Sequence, residues 1–339
     1  MMQTFSLDIK DEEIVFAEIS NRENLEVIIV CKSGNVFLFD CKANTRRFVA
    51  DLSFASYKLN LQIYSFRNYV CVVEKNGTDG TVIDLSEPSY SKHLKRGDYG
   101  ASVSLFPIAF YSKDNQSYLI HGTDWNRLDI TCLDTGEILT NRIIDYETDS
   151  NYFDYFHSSL LVSPDSKTFT SNGWIWHPYG QITSYSIEMF LQEFELSNNI
   201  IELTDEPWEL DWDRPLCWID NKTLGIGYNQ KIIDENKREF PSEIIFYEIE
   251  ENKIIERIKF NGFAMSAEGE VNGELFFDNQ KNHFIALNKQ NGLLIADTNG
   301  KEIFRNPNLT SYKYSQRNKL FYLIDYKRQM LVVIELDKL

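Results

Sequence analysis

Proline, glycine and cysteine are all scarce in this chain of 339 residues, which has 8 Pro, 16 Gly and 5 Cys. So little Pro and Gly excludes a collagen-like or low-complexity chain. The cysteines are odd in number and scattered, which argues against a disulfide framework and favours a reducing compartment. Cys31 and Cys71 lie in apolar segments, where a reduced thiol packs as a small core residue.

Long apolar runs are also missing. No stretch approaches the roughly 18 apolar residues that a membrane helix needs, and the N-terminus lacks the basic start and apolar run of a signal peptide. We therefore expect a cytoplasmic protein that does not bind membranes. Basic residues are outnumbered, with 34 Lys and Arg against 51 Asp and Glu and a net charge of −17. Because phosphate recognition needs a basic surface, nucleic-acid binding is not expected.

Local catalytic and metal-binding motifs are not found in the sequence. It has no P-loop, H-E-x-x-H, C-x-x-C or G-x-S-x-G, and its five histidines are widely separated. Gly225 and Gly227 are followed by Gln230 where a dinucleotide fingerprint needs a third glycine, so a strand with a close backbone approach is the better interpretation. The sequence therefore predicts no catalytic residue, no bound metal and no cofactor.

One acidic stretch begins like a calcium loop, with carboxylates at 145, 147 and 149. Its sixth position is Ser150 instead of Gly and its twelfth is Phe156 instead of Glu. The sharp turn and the bidentate ligand are both lost, so calcium binding is not predicted.

A four-strand unit recurs along the chain, while helical periodicity is almost absent. Two clear examples pair the apolar runs 26–31 and 36–40 across a Ser-Gly turn, and 283–287 and 293–297 across an Asn-Gly turn. Such punctuation is typical of hairpins, because Gly tolerates the positive φ that these turns need. The third strand of each unit is predicted to end near an acidic residue: Asp40, Asp84, Asp134, Glu188, Glu250, Asp297 and Asp337.

A period of about 40–50 residues with four strands per unit is typical of a β-propeller. Seven units fit the chain. The last unit ends at a third strand, 331–336, and residues 4–9 form a spare strand-like segment that can complete it and remove an exposed edge. The sequence thus predicts an all-β fold, a single domain over 1–339: a seven-bladed β-propeller of four-stranded antiparallel blades, closed by the N-terminal strand.

The stretch 162–167, Val-Ser-Pro-Asp-Ser-Lys, resembles the S-P-D-x-K turn of bacterial WD40-like propellers. The turns 134–137 and 297–301 resemble the D-x-G-K/E links of the same superfamily. We expect Ser163, Pro164 and Asp165 to form a tight hairpin turn between the first two strands of blade 4, since Pro presets φ and Asp caps the turn.

Charge and tryptophan are concentrated in the middle of the sequence. Residues 145–213 contain 14 Asp or Glu and one Lys, whereas 301–330 contain seven Lys or Arg and two acids. Five of the six tryptophans lie between 174 and 218. Long loops of blades 3 to 5 are predicted at 122–126, 145–154, 173–181, 204–214 and 227–241. Such loops on a rigid β scaffold commonly carry binding sites.

The leading hypothesis is a non-enzymatic, monomeric binding or scaffold protein that recognises a basic protein partner, as an acidic inhibitor or immunity protein would. The alternatives are a propeller lactonase or hydrolase with a divalent metal at the central channel, and a carbohydrate binder that stacks sugars on Trp. Trp218 is expected in the core, and the acidic loops could serve only as a solubilising surface. The predicted binding residues are Asp124, Trp125, Trp174, Trp176, His177, Tyr179, Asp205, Glu206, Trp208, Asp211, Trp212, Asp213 and Arg214.

Overall fold

The computed structural model describes residues 2–7, 9, 12–52, 60–87, 91–140, 154–175, 179–192, 198–203, 212–229, 232–234, 237–239, 242–265 and 271–338. The chain divides into two compact units. The first contains 1–137 and 313–339, and the second contains 138–312.

The first unit contains four antiparallel sheets. Blade 1 has strands β2 to β5, at Ile14–Ile19, Glu26–Cys31, Asn35–Asp40 and Thr45–Asp51. Blade 2 has β6 to β9, at Leu61–Phe66, Tyr69–Glu74, Asp79–Asp84 and Ser91–Lys95. Blade 3 has three strands within the described residues, β10 to β12, at Ile108–Lys113, Gln116–Asp124 and Arg127–Cys132. Blade 7 has β29 to β31, at Lys313–Ser315, Leu320–Asp325 and Met330–Glu335, and β1, at Met2–Ser6.

The second unit contains three four-stranded antiparallel sheets. Blade 4 has β13 to β16, at Tyr155–Val162, Thr168–Ile175, Tyr179–Ser186 and Asn198–Ile201. Blade 5 has β17, β18, β21 and β22, at Leu216–Trp218, Thr223–Asn229, Ser242–Glu248 and Lys253–Lys259. Blade 6 has β25 to β28, at Glu274–Asp278, His283–Asn288, Gly292–Asp297 and Glu302–Asn306.

Two short hairpins accompany the blades of the second unit: β19 and β20, at Ile232–Asp234 and Lys237–Glu239, and β23 and β24, at Ala264–Met265 and Val271–Asn272. Within the described ranges, helix is confined to α1, at Ile187–Gln192, and a 3-10 turn at Leu336–Lys338. The all-β, seven-bladed propeller predicted from the repeat is therefore confirmed.

Middle strands pack on both faces, which explains their continuous apolar runs. Every residue of β3 is buried. Val27, Ile29 and Cys31 pack in one cluster with strands of blade 7, and Ile28 and Val30 pack in another with strands of blade 2. Alternate side chains of a strand point to opposite faces, so this single strand joins two cores, and each buried aliphatic side chain stabilises the fold by about 1.5–3 kcal/mol.

The acidic residues that end third strands cap the following turns. Strands β4, β8 and β27 end at Asp40, Asp84 and Asp297, as the repeat predicts. Asp40 Oδ1 accepts the backbone N–H of Lys42 at 2.8 Å, and Asp297 Oδ1 accepts that of Asn299 at 2.9 Å. A short acidic side chain that bonds to the backbone two residues on is an Asx turn, which is why the repeat keeps an acid there.

The N-terminal strand completes blade 7. β1 pairs antiparallel with β31, with Met2 opposite Ile334 and Ser6 opposite Met330. The pairing was predicted for residues 4–9, but the strand covers Met2–Ser6. The next residues are held by Gln329, whose side-chain Oε1 accepts the N–H of Ile9 at 2.9 Å. The outer edge of blade 7 is thereby covered.

The inner strand of blade 3 begins later than predicted. We expected it at 105–108, whereas β10 begins at Ile108. The preceding residues form a loop held by Arg96, which is only 3% exposed. Its guanidinium donates to the carbonyl oxygens of Gly77, Ala101, Ser104 and Leu105 at 2.7–3.0 Å. A buried cation satisfied by backbone carbonyls gives no local sequence signal, so the apolar loop residues resemble a strand.

All five cysteines are free and buried. Burial raises the pKa of the Cys31 and Cys41 thiols to about 12, so both stay protonated. No helix among the described residues is long and apolar enough to cross a membrane.

Candidate functional site

Blade 4 has a polar interior. Thr170, Ser171 and Asn172 of β14 and Thr183 and Ser184 of β15 are all 3% exposed or less. Burying hydroxyl and amide groups costs free energy unless they are hydrogen-bonded. Their partners therefore define the local structure.

Tyr155 and His157, on inner strand β13, begin this polar network. The Tyr155 hydroxyl lies 2.8 Å from each of the carbonyl oxygens of Ser171 and Gln181, and its single proton is donated between them. His157 Nδ1 lies 3.1 Å from Ser171 Oγ. Burial raises the pKa of Tyr155 well above its usual value, so the phenol remains a donor.

Gly173 is required by a close backbone approach. A Cβ atom at this position would lie 2.1 Å from the carbonyl oxygen of Phe156 and 2.8 Å from the Tyr155 hydroxyl. The pairing of β13 with β14 changes register between Phe156 and Ser159, directly beside this point. Such bulges redirect side chains. At the edge of this bulge, Phe156 of β13 pairs with Trp174 of β14, the residue after Gly173.

Three aromatic rings stack at this end of blade 4. The ring centroid of Trp174 lies 3.7 Å from that of Phe156, and the two rings make an interplanar angle of 3°. It lies 5.3 Å from the ring centroid of Trp212, at an interplanar angle of 7°. Trp174 is 7% exposed and Trp212 is half-buried. The segment before blade 5 is thus packed against the end of a blade 4 strand. We call Phe156, Trp174 and Trp212 the aromatic stack.

Hydrogen bonds from blade 4 hold the residues after Trp212. Asn172 Nδ2 donates to the carbonyl oxygen of Arg214 at 2.9 Å, and Ser158 Oγ lies 3.4 Å from Asp213 Oδ1. Asp213 is exposed and has φ +51°, a conformation that Asp tolerates better than most residues. Arg214 is 5% exposed, and its guanidinium lies 5.1 Å from the ring centre of Tyr228. The polar interior therefore positions the exposed carboxylate of Asp213.

Asp154 lies immediately before β13 and is half-buried. Its Oδ1 is buried without a hydrogen-bond partner among the described residues, and this desolvation raises the pKa of the carboxyl. Its neighbour Tyr155 pairs with Ile175, the last residue of β14, so Asp154 lies at this end of blade 4. A carboxylate with an unsatisfied oxygen favours a cationic or donor ligand.

Several predicted site residues fall outside the described part of the chain: Trp176, His177, Asp205, Glu206, Trp208 and Asp211. Of the others in the second unit, Trp174, Trp212, Asp213 and Arg214 are brought together as above, and Tyr179 is half-buried at the start of β15. Trp218 is 8% exposed and lies in the core of blade 5, as expected. The three acids of the calcium-like stretch also lie outside the described residues.

In the first unit, Asp124 ends β11 and Trp125 begins the two-residue turn to β12. Asp124 Oδ1 accepts the backbone N–H of Trp125 at 2.8 Å. The Trp125 ring packs edge-to-face against Tyr99, with 5.5 Å between centroids, and Tyr99 is 49% exposed. Tyr99 belongs to the loop fastened by Arg96. This first unit therefore has its own aromatic pair beside a carboxylate, with Tyr99 exposed and Trp125 half-buried.

The sequence interpretation missed Phe156, Asp154 and Tyr99 as site residues. Asp154 lies within the predicted loop 145–154, so its acidic character was a usable signal. Phe156 and Tyr99 lie in strand-like or loop-like stretches without any motif, and only packing brings them to Trp174 and Trp125.

Two other sequence motifs have structural roles. Ser163 Oγ donates to Asp165 Oδ1 at 2.8 Å and accepts the N–H of Thr168 at 3.0 Å, which closes the hairpin between β13 and β14. In β18, a Cβ at Gly227 would lie 3.0 Å from Phe263, which confirms the close approach expected there. No group of three His, Cys, Asp or Glu residues among those described is arranged to hold a metal ion.

No protein-family model and no curated protein sequence matches the chain. Among solved structures, the WD40 domain of Neurospora crassa Pan2 is similar to it, with a TM-score of 0.56 and 11% sequence identity. The match covers 98% of this chain and 94% of that one. The chain has the fold of a WD40 propeller. Fold alone does not determine function, which depends on the chemistry of this chain's own site residues.

Proposed function

We propose that this propeller is a non-enzymatic, monomeric, cytoplasmic binding protein that recognises a basic protein partner through the acidic, Trp-rich loops of blades 3 to 5. An inhibitor or immunity-type role fits this chemistry. The observation that carries the proposal is the aromatic stack, whose half-buried Trp212 is followed by the exposed carboxylate of Asp213.

Electrostatics supports a basic partner. Residues 145–213 hold 14 of the 51 acidic residues and only one of the 34 basic ones. Neighbouring carboxylates create a negative potential that attracts Lys- and Arg-rich surfaces over about 8 Å, the Debye length at physiological ionic strength. Such steering raises the association rate more than the lifetime of the complex.

The aromatic stack supplies the contacts that lengthen the lifetime of the complex, which charge alone does not. Tryptophan is enriched among the residues that contribute most to interface binding energy, and an indole face also attracts Lys and Arg cations. Trp174 and Arg214 are both buried, so we assign both a positioning role and expect Trp212 to contact the partner. The carboxylates of Asp154 and Asp213 would pair with its cations.

The test combines capture and kinetics. The tagged protein is used to capture partners from its native cell at low and high salt, and the association rate of the purified partner is then measured. Reversal of Asp205, Glu206, Asp211 and Asp213 to Lys should lower the association rate at least tenfold and leave the melting temperature nearly unchanged. Trp212→Ala should instead increase the dissociation rate.

The matched control carries the same change of charge elsewhere. The exposed carboxylates of this control, all outside residues 145–213, are Asp51, Glu87, Glu137 and Glu256, each replaced by Lys. This variant should associate much faster than the loop variant. An acidic partner, or an association rate that does not vary with salt, would contradict the proposal and leave the loops as a solubilising surface.

A further inference from the structure

A cleft of about 280 Å³ lies among the hairpin turns of blades 1, 2 and 7, all in the first unit. These turns join the first and second strands of their blades, so they lie at the opposite blade edge from the Tyr99–Trp125 pair. Arg22, Arg67 and Arg317, one from each turn, line the cleft together with Glu23 and Glu26. Positive charge is thus in excess here, although the whole chain carries −17.

The three guanidinium groups differ in how closely a carboxylate approaches them. Arg22 Nη1 lies 2.9 Å from Glu26 Oε2, and Glu26 is 7% exposed, so this pair is internal. Arg317 Nη2 lies 3.9 Å from Glu23 Oε1, and that carboxylate is 91% exposed, so the contact is weak. Arg67 Nη1 donates to the carbonyl oxygen of Asn115 at 2.8 Å, with no carboxylate in the contact. The positive charges of Arg67 and Arg317 are therefore compensated less than that of Arg22.

The turns that carry these arginines are held in place. The backbone N–H of Asn21 donates to Ser65 Oγ at 2.6 Å, which joins the turn of blade 1 to blade 2. Asn318 Nδ2 donates to the carbonyl oxygen of Ser20 at 3.2 Å, which joins the turn of blade 7 to blade 1. The cleft is preorganised, and preorganisation reduces the entropy lost on binding.

Arg67 also occupies a backbone conformation that arginine seldom adopts. It is the first residue of the two-residue turn between β6 and β7, with φ +51°. Gly, Asn or Asp usually supplies a positive φ in such hairpins, so an arginine costs about 1 kcal/mol or more. The guanidinium lies 5.6 Å from the ring centre of Phe66, and this contact and the hydrogen bond to Asn115 hold the side chain in place.

We propose that this cleft binds the phosphoryl group of a small phosphate monoester, with Arg67 and Arg317 as the principal cations. Two cations match a dianionic phosphoryl group, and the planar guanidinium donates two parallel hydrogen bonds to phosphate oxygens. The cleft volume is close to the lower limit of small-molecule sites, roughly 300 Å³, so the ligand is small. The residues of this cleft are different from those of the acidic loops. The cleft prefers anionic ligands, whereas the acidic loops are proposed to bind a basic partner.

The experiment is a calorimetric titration of the full chain with phenyl phosphate at pH 8 and low ionic strength. Phenyl sulfate has the same shape but one negative charge, whereas a phosphate monoester is dianionic well above its second pKa of about 6. Phenyl phosphate should bind at one site, at least tenfold more tightly than phenyl sulfate. Benzoate, the matching carboxylate, should bind no more tightly than phenyl sulfate.

Variants locate the site. Arg67→Gln and Arg317→Gln should each weaken phenyl phosphate binding at least tenfold, and Glu23→Gln should strengthen it several-fold because it removes the competing carboxylate. Lys327→Gln removes the same charge from an exposed residue outside the cleft and should change the affinity less than twofold. Arg22 is left intact, because its loss would leave the buried Glu26 unpaired.

Three results would overturn the proposal: no saturable binding of phenyl phosphate, equal affinity for the three probes, or unchanged affinity in both arginine variants with an unchanged melting temperature. If Arg67→Gln disturbs its turn, the exposed Arg317→Gln variant decides alone. Binding of a basic partner by the acidic loops is a separate measurement, and neither outcome depends on the other.

Discussion

The middle strand of blade 2, β7, and the middle strand of blade 4, β14, are almost equally buried but differ in chemistry. Every residue of β7, Tyr-Val-Cys-Val-Val-Glu, is buried, and so is β14, Thr-Phe-Thr-Ser-Asn-Gly-Trp-Ile, except at its two ends. An apolar strand is held by the hydrophobic effect, which has no directional requirement. A polar strand must instead place each hydroxyl and amide against a partner.

The difference matters because the hydrogen bonds of blade 4 extend beyond the blade. Asn172 and Ser158 reach the segment of Asp213 and Arg214, whereas the β7 side chains Cys71 and Val73 pack only in an apolar cluster. A satisfied polar network specifies one arrangement more strictly than apolar packing does. We infer that blade 4 has a polar interior because it has to hold a loop in a defined position.

The largest expected effect comes from Gly173→Ala. The new methyl group would meet a backbone oxygen at 2.1 Å, so the strands of blade 4 must separate, at a cost of about 3 kcal/mol or more. Gly225→Ala is the matched control in blade 5, where the nearest atom is Cys217 Sγ at 3.2 Å, and it should cost about 1 kcal/mol. Chemical denaturation measures both. Equal free energies of unfolding for the Gly173→Ala and Gly225→Ala variants would show that blade 4 is not tightly constrained.

A buried histidine in blade 3 tests the free-energy cost of burying a polar group, through the dependence of stability on pH. Burial lowers the pKa of His121 to about 4, and its Nε2 lies 3.0 Å from Thr131 Oγ1. Because the unfolded chain binds the proton below a pH of about 6.5 and the folded chain does not, this residue lowers stability as the pH falls from about 6.5 to about 4. The slope is about 1.4 kcal/mol per pH unit.

His121→Gln should remove this slope, as measured by urea denaturation between pH 7 and pH 4. His93→Gln, at an exposed position, should leave it in place. If both variants keep the full slope, another buried group is responsible.

An apolar substitution in the polar interior of blade 4 and a polar substitution in the apolar interior of blade 2 should each destabilise the protein. Asn172→Leu leaves the Arg214 carbonyl without its donor, and Val72→Thr places a hydroxyl in a fully buried apolar position. Each should cost about 1–3 kcal/mol. Limited proteolysis should distinguish them, since Asn172→Leu should increase cleavage near residue 213 and Val72→Thr should not. Similar cleavage in both variants would mean that the network does not hold the loop.

The smallest expected effect is that of removing one hydroxyl. Tyr155→Phe loses a buried donor that lies 2.8 Å from two carbonyl oxygens and should cost about 1–2 kcal/mol. In blade 2, Tyr69→Phe loses a 3.3 Å contact with the carboxylate of the exposed Asp134 and should cost about 0.5 kcal/mol. The two melting temperatures provide the comparison, and a reversed order would be inconsistent with a hydrogen-bonded blade 4 interior.

The architecture could be predicted because its signals are local. Apolar runs, Gly turns and the acids that cap third strands each depend on residues a few positions apart, so the blade count and the completion of blade 7 follow from the repeat. The Gly225–Gly227 and Ser163–Asp165 segments were interpreted correctly for the same reason. The inner strand of blade 3 was not, because its limit depends on Arg96, which bonds to carbonyls as distant as Gly77.

The candidate site was only partly predictable. The sequence by itself determined that acids concentrate between residues 145 and 213 and tryptophans between 174 and 218. A strand buried on both faces has no alternation to show which of its side chains faces solvent, so only the tertiary structure decided that Trp174 is buried and stacked between Phe156 and Trp212. Those contacts join residues 18 and 38 positions apart. Their geometry depends on the bulge in β13 and on Gly173, which act through packing and not through any local pattern.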